Sequence, residues 1–312
     1  MKLDDCVANY IEYKRGLGMR FITEDRILRA FCRAVGDAST ASVSTDQVLR
    51  FLLVNGERTR FWEIKYSVLK GFYSFAIAHG YAQRVPLPPT MKRQPQALVP
   101  YIYSRQELSS LFAVAAGPFP RQARMEPYVL RTLLVLLYGA GLRISEALLL
   151  KLDDVDLEQA LICVRDTKFY KTRLVPLGTD LNAVISEYVD RRNKVFCSDK
   201  NAPCFVFKDG RPLSRGAVEK TFRHLCRSVG IERAGGPRNQ PRLHDLRHTA
   251  AVHRVIAWYR GGEDVQRLLS HLATYLGHVH IVATQRYLTL TPELLGEASA
   301  RFEQYASEID HE

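Results

Sequence analysis

The stretch GAGLRISEALLL, residues 139–150, decides how this chain is read. The segment before it, from about Pro127 to Tyr138, is nearly all apolar, which is the pattern of a helix buried on every side. Gly139 and Gly141 end that helix and deliver Arg143 to the start of the next. Glu146 follows one helical turn later, in position to hold the guanidinium. Taken alone, such an arginine is a surface group capping a carbonyl. The polar residues further along change that reading. Lys168 lies in DTKFYKTRLVPL (166–177), His244 and Arg247 in LHDLRH (243–248), His278 in YLGHVH (275–280) and Tyr287 in TQRYLTL (284–290). Guanidinium groups match phosphate oxygens in a planar, bidentate way. A tyrosine forms a covalent intermediate once its proton is taken and its leaving group is protonated. The set therefore reads as a pocket for one phosphodiester with a phenol placed to attack it. No acidic pair and no metal-ligand spacing accompanies it, so the expectation is phosphoryl transfer without metal or cofactor.

The order Arg, Lys, His-x-x-Arg, His, Tyr resembles the tyrosine recombinases, the lambda-integrase or phage integrase family. GLRISE resembles the box around the family's first arginine, HDLRH the second box and LGH the third. Tyr287 stands nine residues past His278, as the family's nucleophile does. Any one string occurs by chance; four in this order carry the resemblance, strongly over residues 103–300 and more weakly over 1–95. It implies that Arg143 and Arg247 clamp the non-bridging oxygens, with Glu146 supporting Arg143. His244 assists proton transfer, His278 donates a hydrogen bond to the phosphate, and Tyr287 attacks. Aligning on RLVPL (173–177) makes Lys168 the family's mobile lysine, which protonates the departing 5′ oxygen, and leaves Lys171 as a backbone contact.

Bland readings stand beside these. Hairpin lysines are normally solvated, and the spacing alone leaves Lys168 and Lys171 both open. His278 and His280 form an H-x-H without a third ligand at useful spacing. Tyr259 and Tyr275 compete with Tyr287. Two departures from the family pattern stand out. Thr167 and Phe169 flank Lys168 where glycines are common, and His244 to His278 spans 34 residues, several more than is usual, the excess falling within 256–274.

The formal charge is +11 over 312 residues. Residues 1–100 hold 15 Lys and Arg against 9 Asp and Glu, and the remainder 29 against 24. Two basic halves point to a polyanion partner, double-stranded DNA. Arg215, Lys220 and Arg223, on a basic helix expected from Ser214 to about Val229, are candidate DNA contacts, as are Lys92 and Arg93. No run of 18 apolar residues offers a membrane span, and MKLDDCVANYIEYKRG does not read as a secretory signal. Six scattered cysteines read as free thiols in a reducing compartment. Cys197 and Cys204 are near enough to raise a disulfide or metal reading, which no nearby histidine supports. The expected location is the bacterial cytoplasm, at the nucleoid.

Residues 1–83 read as four helices, which the resemblance implies are a core-binding DNA-binding domain of the SAM-like kind. Val7, Tyr10, Ile11 and Leu17 form one face of the first. Thr23 is placed to cap the second, and Ser44 with Gln47 forms a capping box for the third. The fourth runs from about Trp62 to Ala78, leaving Lys14, Arg15, Arg58, Arg60, Lys65 and Lys70 on outward faces. Residues 84–102 are a linker: RVPLPPTMKRQPQALVP (84–100) contains five prolines. Residues 103–312 form the catalytic domain. Within it Ser104 and Glu107 open a helix, Ala160–Arg165 and Arg173–Pro176 read as strands, Leu181–Arg192 as a helix and Phe205–Phe207 as a short strand. After Tyr287, Leu294, Leu295, Ala298, Phe302 and Tyr305 recur at helical spacing. The resemblance implies that this last helix docks on a neighbouring protomer.

The fold class expected is mainly α with a small antiparallel sheet in the catalytic domain, as a two-domain clamp. The expected function is site-specific DNA recombination through a 3′-phosphotyrosyl intermediate, independent of metal and ATP. The expected assembly is a tetramer on paired sites, with the need for other recombinases left open. The segment TYLGHVHIVATQRYLTLTPELL (274–295) resembles transposon-borne members, which favours a mobile element. Two other classes remain: a DNA-binding protein that does not cut, and a type IB topoisomerase.

Overall fold

The computed structural model describes residues 1–53, 60–88, 99–165, 172–236, 239–277, 282–285 and 293–300. The chain divides into two compact units, Met1–Ala97 and Leu98–Glu312.

The first unit is helical: α1 (Leu3–Gly16), α2 (Ile22–Val35), α3 (Thr45–Leu52) and α4 (Arg60–Ala78). Val7, Tyr10 and Ile11 from α1 meet Ile27, Leu28 and Phe31 from α2 and Leu69 and Phe72 from α4 in one core. Leu17 does not join that face. It follows the last turn of α1 and is exposed. Thr23 does not cap α2 either; Phe21 occupies the N-cap in the left-handed region at φ 47°, with no side-chain cap bond. The Ser44–Gln47 box forms as expected, with both reciprocal hydrogen bonds. Lys65 turns to packing: its Nζ donates to the Phe51 carbonyl at 2.9 Å and lies over the Phe51 and Phe61 rings.

The second unit opens with α5 (Arg105–Ala116), capped by the Ser104–Glu107 box, and α6 (Pro127–Gly139). Leu130, Leu133 and Leu134 of α6 are fully buried, so this helix is the hub of the larger core. Each such leucine contributes about 1.5–3 kcal/mol through burial. A short α7 (Ile144–Leu148) leads into the antiparallel sheet β1 (Val155–Asp156), β2 (Leu161–Val164) and β3 (Arg173–Pro176), in that order, with Val164 opposite Arg173 and Ile162 opposite Val175. Strand β1 escapes the sequence reading because it is only two residues long. Val206, expected in a strand, makes only an isolated bridge to Pro212.

Helices α8 (Thr179–Asn193), α9 (Arg215–Ser228), α10 (Leu243–Arg260), α11 (Val265–Leu276) and α12 (Val282–Gln285) follow. The stretch 256–274 completes α10, makes a turn and builds most of α11. Arg192 is buried in α8 and donates to the carbonyls of Cys197 at 2.8 Å, Pro203 at 3.0 Å and Cys204 at 3.2 Å, closing the loop after the helix. All six cysteines are free thiols.

Residues 293–300 are helical. Leu294 is buried among Val252, Val255, Leu269 and Leu272 of α10 and α11, while Leu295 is exposed. Arg260 reaches Glu293 at 2.8 Å and Glu297 at 2.7 Å. Residues 293–300 thus pack on their own domain through Leu294. Phe302 and Tyr305 lie outside the described residues. Among the described residues, no helix is long and apolar enough to cross a membrane.

Candidate functional site

Arg143 is presented by a turn that only a small, flexible residue permits. Gly141 has φ +60°, and a Cβ there would stand 2.9 Å from Leu276 Cδ2, so the turn also lets α11 approach closely. Arg143 is the N-cap of α7. Its backbone N–H donates to Glu146 Oε2 at 2.9 Å and its Nη1 donates to Oε1 at 2.7 Å. Its Nη2 donates to the Gly277 carbonyl at 3.1 Å. Burial alone would raise the Glu146 carboxyl, but hydrogen bonds from Arg173, from the Arg143 backbone and from the Arg143 guanidinium outweigh it and bring the pKa down to about 2.

His244 and Arg247 come from the first turn of α10, which Arg242 caps: its backbone N–H and Nη2 each meet the Asp245 carboxylate at 2.9 Å. His244 opens onto a cleft of about 600 Å³, lined also by Arg143, Arg215, Arg223, Gln240 and Arg242. Protein crowds the other side of the ring, where His248 packs edge-on at 4.7 Å between centroids. Lost solvation, followed by the charges of Arg247, Arg143 and Arg242, lowers the His244 pKa to about 4, with Asp245 opposing. The imidazole is therefore neutral at pH 7 and able to accept a proton.

Arg247 lies behind the cleft, 1% exposed. Its Nη1 donates to the Gly141 carbonyl at 2.6 Å and its Nη2 to the Leu276 carbonyl. Sequence spacing put His244 and Arg247 on one helical face; the structure sets them at different depths, one at the cleft and one beneath it.

Of the expected site residues, Arg143, Glu146, His244 and Arg247 gather around the turn at Gly141 and the end of α11, and Arg215 and Arg223 from α9 line the same cleft. Lys220 is exposed but does not line the cleft. Lys168, Lys171, His278 and Tyr287 lie outside the described residues, as do Lys92 and Arg93. Just before Tyr287, α12 packs on α11 with Thr284 fully buried. Tyr275, the competing phenol, is half-buried, and burial raises its pKa against the opposing charges of Arg254, Arg173 and Arg247.

Three residues escaped the sequence reading. Arg242 and Gln240 line the cleft because of where the α10 N-terminus sits, which no local pattern records. Arg173 did leave a signal. It stands two residues before buried Val175 on a strand, so it faces inward, where a charged group requires a partner.

Residues 104–293 match the phage integrase family. The chain belongs to this family. The putative integrase/recombinase y4rB of Sinorhizobium fredii is 34% identical over 304 residues, covering 96% of this chain and 96% of that protein. Tyrosine recombinase XerA of Thermococcus kodakarensis is 30% identical over 262 residues, covering 83% and 82%. Among solved structures, the Tn1549 transposon integrase in complex with transposon right end DNA shares the fold with a TM-score of 0.68 at 19% identity, over 98% of this chain and 100% of that one. Membership of this family of tyrosine recombinases supports site-specific DNA recombination, and with it DNA binding, as the activity of the chain.

Proposed function

We propose that this phage integrase family member is a recombinase of a mobile element that cuts and rejoins DNA through a 3′-phosphotyrosyl intermediate. The observation that carries the reading is one cleft lined by both Arg143 and His244, with three further arginines on its walls. Tyr287 Oη attacks the scissile phosphorus. Its proton passes to the His244 imidazole, and the 5′ oxygen leaves with a proton from Lys168. Arg143, supported by Arg247, stabilises the charge that gathers on the non-bridging oxygens, with a hydrogen bond donated by His278; this is the larger part of catalysis at such sites. A 5′ hydroxyl from the partner duplex reverses the step. The ester conserves the bond energy, so no ATP, metal or other cofactor enters.

Around this centre, Arg215 and Arg223 hold flanking phosphates and Lys220 meets the duplex from the outer face of α9. Residues 1–83 bind the duplex as a core-binding domain, with Lys92 and Arg93 of the linker on its backbone and Lys171 as a further backbone contact. Four copies act on paired sites in the bacterial cytoplasm. The transposon integrase among the fold neighbours is described in complex with its transposon-end DNA, which favours the mobile-element reading.

A duplex nicked near the scissile phosphate tests this. The wild-type chain should form a denaturant-resistant DNA adduct, in excess EDTA as well as without it, while Tyr287→Phe binds the site and forms none. A binder forms no adduct, and a type IB topoisomerase relaxes plasmids that lack the site. An adduct surviving in Tyr287→Phe moves the nucleophile to another tyrosine, with Tyr275 first to be tested.

A further inference from the structure

The last three carbonyls around the end of α11 each receive a different arginine. Tyr275 O accepts from Arg173 Nε at 3.1 Å, Leu276 O from Arg247 Nη2 and Gly277 O from Arg143 Nη2 at 3.1 Å. A helix C-terminus carries unsatisfied carbonyls and partial negative charge, so three cations gather there without a carboxylate each. Two of these arginines belong to the clamp described above. Arg173 does not. It comes from β3, and its side chain is 13% exposed. Its remaining nitrogens grip both oxygens of Glu146, Nη1 on Oε1 at 3.1 Å and Nη2 on Oε2 at 2.8 Å.

The contacts close a ring. Arg143 holds Glu146, Glu146 holds Arg173, Arg173 holds the Tyr275 carbonyl, and two residues later Gly277 holds Arg143. Gly277 is in the left-handed region at φ +66°, and a Cβ there would come within 3.0 Å of Arg173 Nη1, so the guanidinium packs directly on the cap of the helix. Without Arg173, Glu146 loses one of its two cations and the end of α11 loses its tie to the sheet. The Arg143 guanidinium is then fixed by fewer contacts.

We propose that Arg173 is a positioning residue for strand cleavage, acting through Glu146 and the end of α11 to hold the Arg143 guanidinium where the scissile phosphate arrives. This rests on the reading of Arg143 as a phosphate clamp. A lysine at 173 keeps the charge but offers a single point donor, which cannot span both carboxylate oxygens and the Tyr275 carbonyl together.

The test uses the full chain and the nicked duplex under single-turnover conditions, with Arg173→Lys, Arg143→Lys and the double variant. Arg173→Lys should slow adduct formation by about 10- to 100-fold, the scale on which orienting partners of charged sites are felt, while site affinity stays at the wild-type value. In the Arg143→Lys background the same change should cost far less, because its effect passes through the guanidinium already removed. Equal slowing in both backgrounds, a parallel loss of affinity, an unchanged rate, or an Arg173→Lys protein unfolded at the assay temperature each overturns the proposal. A wild-type chain that forms no adduct refutes the recombinase reading itself, a distinct result.

Discussion

Arg247 donates to the carbonyl of Gly141 at 2.6 Å, across 106 positions of sequence, and so ties the first turn of α10 to the turn that presents Arg143. One arginine of the candidate clamp thereby sets the backbone from which the other projects.

Gly141→Ala should disturb both. The position has φ +60°, and the added methyl meets Leu276 Cδ2. The end of a leucine side chain can shift, but the left-handed backbone costs an alanine about 1–2 kcal/mol. Thermal denaturation should show a loss of that size, with adduct formation falling further than DNA binding. An alanine variant as stable and as fast as wild type would mean that the turn tolerates a side chain.

Glu146 predicts an acid-linked contribution to stability. Its folded pKa of about 2 lies below the ordinary 4.5, so its stabilisation is complete above pH 4.5 and fades as pH falls from there toward 2. Glu146→Gln should cost about 3 kcal/mol at neutral pH. Urea unfolding of both proteins between pH 6 and pH 2 should show the gap narrowing only below about pH 4.5. A gap independent of pH would remove the charge from the explanation.

His244 is expected to remain a base under mildly acid conditions. Its folded pKa of about 4 lies below the ordinary 6.5, so the linked stability is intact above 6.5 and lost as pH falls through the interval toward 4. Two-dimensional NMR of the imidazole should give a midpoint near 4, and the acid limb of the single-turnover rate should follow it. A midpoint near 6.5 would mean that solvation at the cleft mouth prevails over the three arginines.

The helix over 293–300 makes a prediction about where its stability resides. Leu294→Ala removes a buried side chain and should cost about 2–5 kcal/mol. Arg260→Ala breaks two ion pairs at the surface and should change Tm little, since exposed pairs contribute little. Deleting residues 291–312 should accordingly destabilise the domain as well as affect assembly. A deletion protein with an unchanged Tm would show that this helix adds nothing to its own domain.

The legible part of the site was the part written in short strings. GLRISE located Arg143 and Glu146 because a glycine turn followed by a helix start is a local event. HDLRH located His244 and Arg247 for the same reason. The capping boxes at Ser44 and Ser104 were likewise visible, as reciprocal bonds between neighbours three residues apart. Strand β1, the cap of α2 at Phe21 and the isolated bridge at Val206 were not, since tertiary contacts outweigh weak local preference there. Arg242, Gln240 and the depth difference between His244 and Arg247 depend on how α9, α10 and α11 approach one another. Arg173 lay between, its inward register readable and its partners invisible until Glu146 and Tyr275 came together.

The three neighbouring carbonyls at the end of α11 also impose a rule on length. Each added residue turns a helix by about 100°. One insertion between Leu272 and Leu276 would swing all three acceptors away from Arg143, Arg173 and Arg247 together, whereas an insertion in the turn at 261–264 leaves their phase untouched. The long interval between His244 and His278 is thus elastic at its middle and rigid at its downstream end. Chimaeras that exchange this region between relatives should join in the turn at 261–264, ahead of α11, where the chain can absorb an added residue without rotating the helix.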